Sequence, residues 1–511
     1  MSRRFDRATI ARCGATVVVA LGLMVTWSLA TARYAGPDEP AHVLRAAAVA
    51  NGEFEGRPVP GLAPGFRAVV VPAVLASGDP SCFRHAARRP AVCAVAAEGI
   101  VGTASAATSA GTNPPLYYAM VGIPVRLFAD PSQVVWYRII AAAWCALALA
   151  CALGRSRSIG PPGLVVAGLT PAAWFLFGVV NPNSLEISLA ALAWVAVVRL
   201  LRAGTASAGE IAWFSVPAAL AIAIRPIAVI AVAAMVVVVL VGRGGWRQVL
   251  RLVPSWQART ALLAPPLTAV LSIAAWTWWS SVDVNDPRTA STLSLLATLR
   301  RAVQDTSRTL RQMAGSLGWL EFSAPSVAQL SWWILIAVAG VLVLSNRSGI
   351  RWAWVSIAAL LLATPIVFEV AVAHRVGFIW QGRYSISTGI GLLIVGFGLG
   401  FDRCADTSGS RRVRLAVLVL PAIAEVATFW TALRRFTVGT DGSWWFTRAA
   451  WHPPLPPLVL VGVNAALFVA LLLGLSLGLG DLAAHDVERG SGPEPLDLLG
   501  AEGVQTLEVD R

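Results

Sequence analysis

Residues 10–30 read IARCGATVVVALGLMVTWSLA, and a few positions later the chain reads Pro37-Asp38-Glu39-Pro40-Ala41-His42. The first stretch is apolar and long enough for a helix to cross a bilayer, which takes about 20 residues. Arg3, Arg4, Arg7 and Arg12 precede it. It resembles a secretion signal, but no good small-residue cleavage site precedes the acids, so it reads as a retained span with a cytoplasmic N-terminus. Two adjacent carboxylates and a histidine are thereby placed just outside a membrane. Ionisable groups are rarely left there without a function.

Apolar runs of the same kind recur along all 511 residues, which are 57% hydrophobic and 13% charged. They lie near 134–153, 163–180, 185–201, 261–280, 331–344, 352–373, 385–401, 413–431 and 458–480. Arginines in the short connections mark the cytoplasmic side: Arg155 and Arg157, Arg199 and Arg202, Arg243, Arg247 and Arg251, Arg347 and Arg351, and Arg403, Arg411 and Arg412. The stretch 211–241 begins and ends on that side and is split at Arg225-Pro226, so it reads as a hairpin of two short helices with Arg225 at its outward tip. The segment 116–128 starts and ends outside and reads as a juxtamembrane or re-entrant helix. The expected architecture is an all-α polytopic membrane protein of about 12 transmembrane helices. Residues 1–480 form one membrane domain with outer loops at about 33–114 and 281–329, and both termini are cytoplasmic. The polar, Gly/Pro/Glu-rich 481–511 reads as a disordered cytoplasmic tail.

The net charge is +13, and all 40 basic residues are arginine. They flank apolar runs instead of forming a basic domain interleaved with aromatics, so nucleic acid is not an expected partner. Membrane lipids are. The chain has no lysine and hence no phosphate-binding Gly loop ending in Lys-Ser/Thr. It also lacks a His-Glu-x-x-His helix and a nucleophile elbow. ATP-driven transport and metalloprotease chemistry lose support. Cys82 and Cys93 share the first outer loop, where an oxidising exterior allows a disulfide. A zinc pair is the alternative, with only His85 between them.

Proline on both sides of Asp38-Glu39 favours a fixed turn over a regular helix. A carboxylate held there can act as general base on a hydroxyl or ligate a divalent cation. His42 can orient it or help bind phosphate. The plainer reading is a helix N-terminus with one acid as cap. Arg225, Arg383-Tyr384 and Asn183 are expected on the same side, where guanidinium groups suit phosphate recognition. Interfacial snorkelling and helix capping are the plainer readings there. Trp319 could stack on a sugar face and Glu321 bind its hydroxyls, against simple interfacial anchoring. Asn113-Pro114-Pro115-Leu116-Tyr117-Tyr118 launches the juxtamembrane helix and reads as structural.

These motifs together resemble the bacterial membrane-protein family known as domain of unknown function 2142. The matching stretches are Pro37–His42 with Arg45 and Gly52, the Cys82/Cys93 loop, Asn113–Tyr118, Asn181-Pro182-Asn183-Ser184, Gly318-Trp319-Leu320 and Gln381-Gly382-Arg383-Tyr384. That family looks like a branch of the C-type glycosyltransferase superfamily. The resemblance implies inverting transfer of sugar from a polyprenyl-phosphate donor at the outer face of a bacterial plasma membrane. Asp38 would be the catalytic base and Glu39 its partner or a metal ligand. Arg225 and Arg383 would grip the donor phosphate, with a divalent cation (Mg or Mn) as a further expectation. Where many relatives carry lysine near the hairpin turn, this chain has Arg225, which keeps the charge and changes the geometry. The acceptor is left open among a cell-envelope glycan, glycolipid or protein. The rival readings are a lipid-linked-sugar transporter or flippase, and a non-catalytic membrane scaffold.

Overall fold

A computed structural model describes residues 7–94, 99–128, 130, 133–161, 163–280, 289–345, 349–401 and 408–490. In chain order, α1 (Arg7–Ala30) leads into α2 (Glu39–Ala50), then β1 (Arg57–Pro58), β2 (Arg67–Pro72), α3 (Ala73–Ala76), β3 (Thr103–Thr108) and α4 (Pro115–Val125). There follow α5 (Val134–Ser156), α6 (Leu164–Gly168), α7 (Pro171–Phe177), α8 (Pro182–Arg202), α9 (Ala208–Ile224), α10 (Ala228–Arg243), α11 (Trp246–Leu252) and α12 (Trp256–Trp279). The remainder is α13 (Leu295–Gly315), β4 (Ser316–Leu317), β5 (Phe322–Ser323), α14 (Ser326–Leu344), α15 (Ile350–Val376), α16 (Gly382–Gly400), α17 (Ser408–Val438) and α18 (Pro457–Gly490).

Among the described residues, nine helices are long and apolar enough to cross a membrane, or ten if the bent pair α10–α11 counts as one span. The expected count of 12 is therefore not confirmed by length and composition, for two physical reasons. The run 163–180 breaks into α6 and α7 at Leu169-Thr170-Pro171, where the Thr170 hydroxyl caps the new helix. The hairpin halves α9 and α10 have only 17 and 16 residues. Both features still carry the chain from end to end of the bundle. Ser158 bonds Arg199 at one end of α8, while Val180 bonds Glu39 at the other. Arg225, between α9 and α10, lies at the Glu39 end as expected for a hairpin tip.

The centre of the bundle is α8 and α16, whose apolar windows are 89% and 94% buried; α12, at 6%, is peripheral. Glycine lets α16 approach closely, since a Cβ at Gly391 would stand 2.5 Å from the Trp194 ring. Connection arginines cluster at the end opposite Asp38, where Arg202 bonds the Gly398 carbonyl and Arg243 that of Gly204. Arg347 and Arg403 lie outside the described residues.

At the Asp38 end, α2 packs on α4 in the juxtamembrane layer. The all-α expectation is modified here. The first long loop folds a small antiparallel sheet in the order β1-β2-β3, with Val69 facing Ala106, and β4–β5 form a second short pair. Cys82 and Cys93 are disulfide-bonded, with Cα atoms 6.3 Å apart. The last helix continues past Asp481 to Gly490, and the rest of the tail expected to be disordered, 491–511, lies outside the described residues.

Candidate active site

Asp38 precedes α2 with a left-handed backbone, φ 58° and ψ 10°, and its side chain does not cap the helix. A non-glycine residue held there is uncommon and costs of order 1–3 kcal/mol, a strain that clusters at functional sites. The flanking Pro37 and Pro40 limit relaxation. Freed from capping, the carboxylate turns to the start of α16, where Oδ2 lies 2.5 Å from Arg383 Nη2. Its side chain is 42% exposed, against 7% for Arg383.

Glu39 goes the other way. It is the first residue of α2, and successive side chains on a helix diverge by roughly 100°. It is fully buried in a two-pronged ion pair: Arg138 Nε donates to Oε1 and Nη2 to Oε2, each at 2.7 Å. The backbone N–H groups of Val180 and Gly36 add to it. Arg138 also donates to the carbonyls of Ser28, Thr31 and Ala32 at the end of α1. Glu39 thus ties α1, α2, α5 and the α7–α8 connection together. Both of its carboxylate oxygens are engaged there, and it does not line the cavity onto which Asp38 opens.

Asp38 and His42 open onto a cavity of about 220 Å³ that Arg225, Arg383, Tyr384, Asn181, Asn183, Asn113 and Ser109 also line. Five separate stretches of chain meet there. Arg383 donates to Tyr384 Oη at 3.3 Å, while its buried Nε and Nη1 have no protein partner. Arg225 donates to Glu186 Oε2 at 3.0 Å, and its guanidinium lies 4.4 Å from the Tyr384 ring centroid. Glu186 Oε1 accepts from Ser387. Asn183 leans on Glu186 at 3.4 Å, and Asn181 caps α8 and donates to the Pro37 carbonyl.

Burial alone would raise the Asp38 carboxyl, but the adjacent Arg383 guanidinium more than reverses this and holds it below its ordinary value. Burial pushes the His42 imidazole down to about 3, against the pull of Asp38, so the ring is neutral near pH 7. Its Nδ1 meets Tyr118 Oη at 2.9 Å.

Asp38 and His42 line the cavity beside the amides of Asn113, Asn181 and Asn183, and among the described residues no group of three His, Cys, Asp or Glu is placed to hold a metal ion. Trp319 and Glu321 are not brought to the cavity. Trp319 donates to the Tyr34 carbonyl, and Glu321 pairs with the buried Arg435 at 3.3 Å. Trp319 thus ties the β4–β5 connection to the α1–α2 connection, and Glu321 ties it to α17, whose Arg435 also reaches the Phe83 carbonyl in the disulfide loop.

The family model described as "Predicted membrane protein (DUF2142)" matches residues 21–387, which contain every side chain named at the cavity. The chain belongs to this family. No curated protein matches it. Among solved structures it is similar to ArnT from Cupriavidus metallidurans in the apo state, at TM-score 0.45 and 14% identity over 92% of this chain and 77% of that one. The same protein bound to undecaprenyl phosphate aligns at TM-score 0.43 and 14% identity, over 93% and 79% of the two chains.

In this DUF2142 chain, sequence reasoning missed Arg138 and undervalued Tyr118. The signal for Arg138 was present: a lone arginine inside an apolar span calls for a named partner. Tyr118 gave only a helix-start motif.

Proposed function

We propose that the protein is an inverting membrane glycosyltransferase that takes sugar from a polyprenyl-phosphate donor and passes it to a hydroxyl of a cell-envelope acceptor. One observation carries this reading: a strained, cavity-facing aspartate shares its cavity with two arginines drawn from distant parts of the chain. A general base and an anion clamp side by side are what displacement of a phosphate leaving group requires. The concentration of connection arginines at the opposite end supports an outward-facing cavity.

In the proposed reaction Asp38 removes the acceptor hydroxyl proton as that oxygen bonds to the anomeric carbon. The bond from that carbon to the phosphate oxygen breaks with inversion. The phosphate leaves with the bonding pair onto Arg383 and Arg225. In the resting state each arginine already has a carboxylate partner, Asp38 for Arg383 and Glu186 for Arg225. A phosphate that reaches the Arg383 guanidinium competes with Asp38 for it. Donor binding then frees Asp38 and restores its basicity.

Proteoliposomes test the reading. Protein supplied with a polyprenyl-phosphate sugar pool and envelope acceptor extract should form a covalent product detectable by mass. Movement of donor lipid across the bilayer without covalent change would favour a flippase instead.

A further inference from the structure

We propose that Tyr118, held by Asn113, fixes the His42 imidazole as its Nε2–H tautomer, so that His42 stands in the cavity as a neutral hydrogen-bond donor beside Asp38. Its role in transfer rests on the function proposed above; the tautomer itself does not.

The inference follows from counting protons. Asn113 Nδ2 donates to Tyr118 Oη at 2.7 Å, and the same oxygen lies 2.9 Å from His42 Nδ1. A phenol has one proton. An oxygen that accepts from Asn113 spends that proton on its other neighbour, so Nδ1 is the acceptor. A neutral imidazole with a bare Nδ1 carries its hydrogen on Nε2. Burial keeps the ring neutral and pushes the Tyr118 phenol up to about 12, so both groups retain these states across the working range.

The surroundings make the relay rigid. Tyr118 and Arg45 are fully buried. Arg45 donates to the Asn113 carbonyl at 3.1 Å, and its guanidinium lies 5.8 Å from the rings of Tyr118 and Trp276. The double proline after Asn113 sets the turn from which its amide reaches Tyr118. The Asn113–Tyr118 motif therefore has a second task besides starting α4: both residues position His42.

This changes what the cavity can recognise. With Nδ1 taken by Tyr118, the nitrogen left for a ligand is Nε2, which donates. Asp38 accepts, one helical turn away. A hydroxyl satisfies both, giving its proton to Asp38 and accepting from His42 through its lone pair. An ammonium or a carboxamide nitrogen has no lone pair to offer Nε2–H. The pair thus selects an alcohol acceptor over a protonated amine or a carboxamide nitrogen.

The test is ¹⁵N NMR of the full chain in nanodiscs with labelled histidine. The chain has five histidines, and a His42→Gln difference spectrum assigns the signals. The expected result is His42 with unprotonated Nδ1 and protonated Nε2, and a mixture of tautomers in Tyr118→Phe. A protonated Nδ1 in the wild type would overturn the proposal, because the relay would then run from His42 through Tyr118 to the side-chain oxygen Oδ1 of Asn113. An unchanged tautomer in Tyr118→Phe would also overturn it. Because this readout needs no transfer activity, its failure is distinguishable from failure of the glycosyltransferase reading. In cells, Tyr118→Phe at normal protein abundance should lower the glycan product about tenfold, on the order of one lost hydrogen bond.

Discussion

Asp38 and Arg383 stand 345 positions apart in the chain and meet at 2.5 Å. The first closes a strained turn after the opening span; the second begins one of the two most enclosed helices. This contact joins the ends of the family-matched region and sets the resting state of the cavity.

If Arg383 is what depresses the Asp38 carboxyl, stability follows pH with a defined sign. A carboxyl whose folded value lies below its unfolded one contributes stability that is present above the unfolded value, near 3.8, and lost as pH falls through the folded one. Thermal melts of wild type and Asp38→Asn should differ at pH 6 and converge only as pH falls below 3.8, through the depressed folded value. The Arg383→Gln background should remove most of that pH-dependent difference.

Glu39 should behave as a structural residue. Breaking a buried ion pair by removing one partner costs about 3–5 kcal/mol. Glu39→Ala and Arg138→Ala are each expected to collapse monodisperse expression in size-exclusion chromatography, whereas Asp38→Ala leaves it largely intact. Equal behaviour of the Asp38 and Glu39 variants would contradict the division of labour between the two acids.

Replacing Arg383 or Arg225 by lysine keeps charge and loses the planar fork. Each change should weaken the apparent affinity for a polyprenyl-phosphate donor about tenfold, the scale of one charge-assisted hydrogen bond. Titration of transfer rate against donor concentration measures this.

The donor set at the cavity gives a fourth expectation. With Glu39 committed to Arg138, Asp38 is the one carboxylate among the described residues that line the cavity, beside His42. Transfer activity should survive EDTA, and added Mg²⁺ or Mn²⁺ should change the rate less than twofold, a difference under about 0.4 kcal/mol.

Much of this was legible in the chain. Long spans are readable because lipid demands continuous apolar sequence with internally satisfied backbone, and Pro37–His42, Arg225, Arg383 and Tyr384 announced themselves as polar punctuation in that text. The direction of each side chain was not legible. Whether Asp38 or Glu39 faces the cavity depends on one positive φ and on an arginine 99 positions away. Trp319 and Glu321 left a sugar-binding reading open beside interfacial anchoring because nothing local reveals that their loop folds back onto Tyr34 and Arg435. The break in 163–180 was signalled by Thr170-Pro171 but hidden by the unbroken apolar composition around it.

The most direct measurement is mass analysis of envelope glycans from cells lacking the protein and complemented with either wild type or Asp38→Asn. A catalytic base contributes roughly 10²–10⁴-fold, so the account predicts that the product lost on deletion returns with wild type and stays at least a hundredfold lower with Asp38→Asn at equal protein abundance. Full restoration of the product by Asp38→Asn would contradict it.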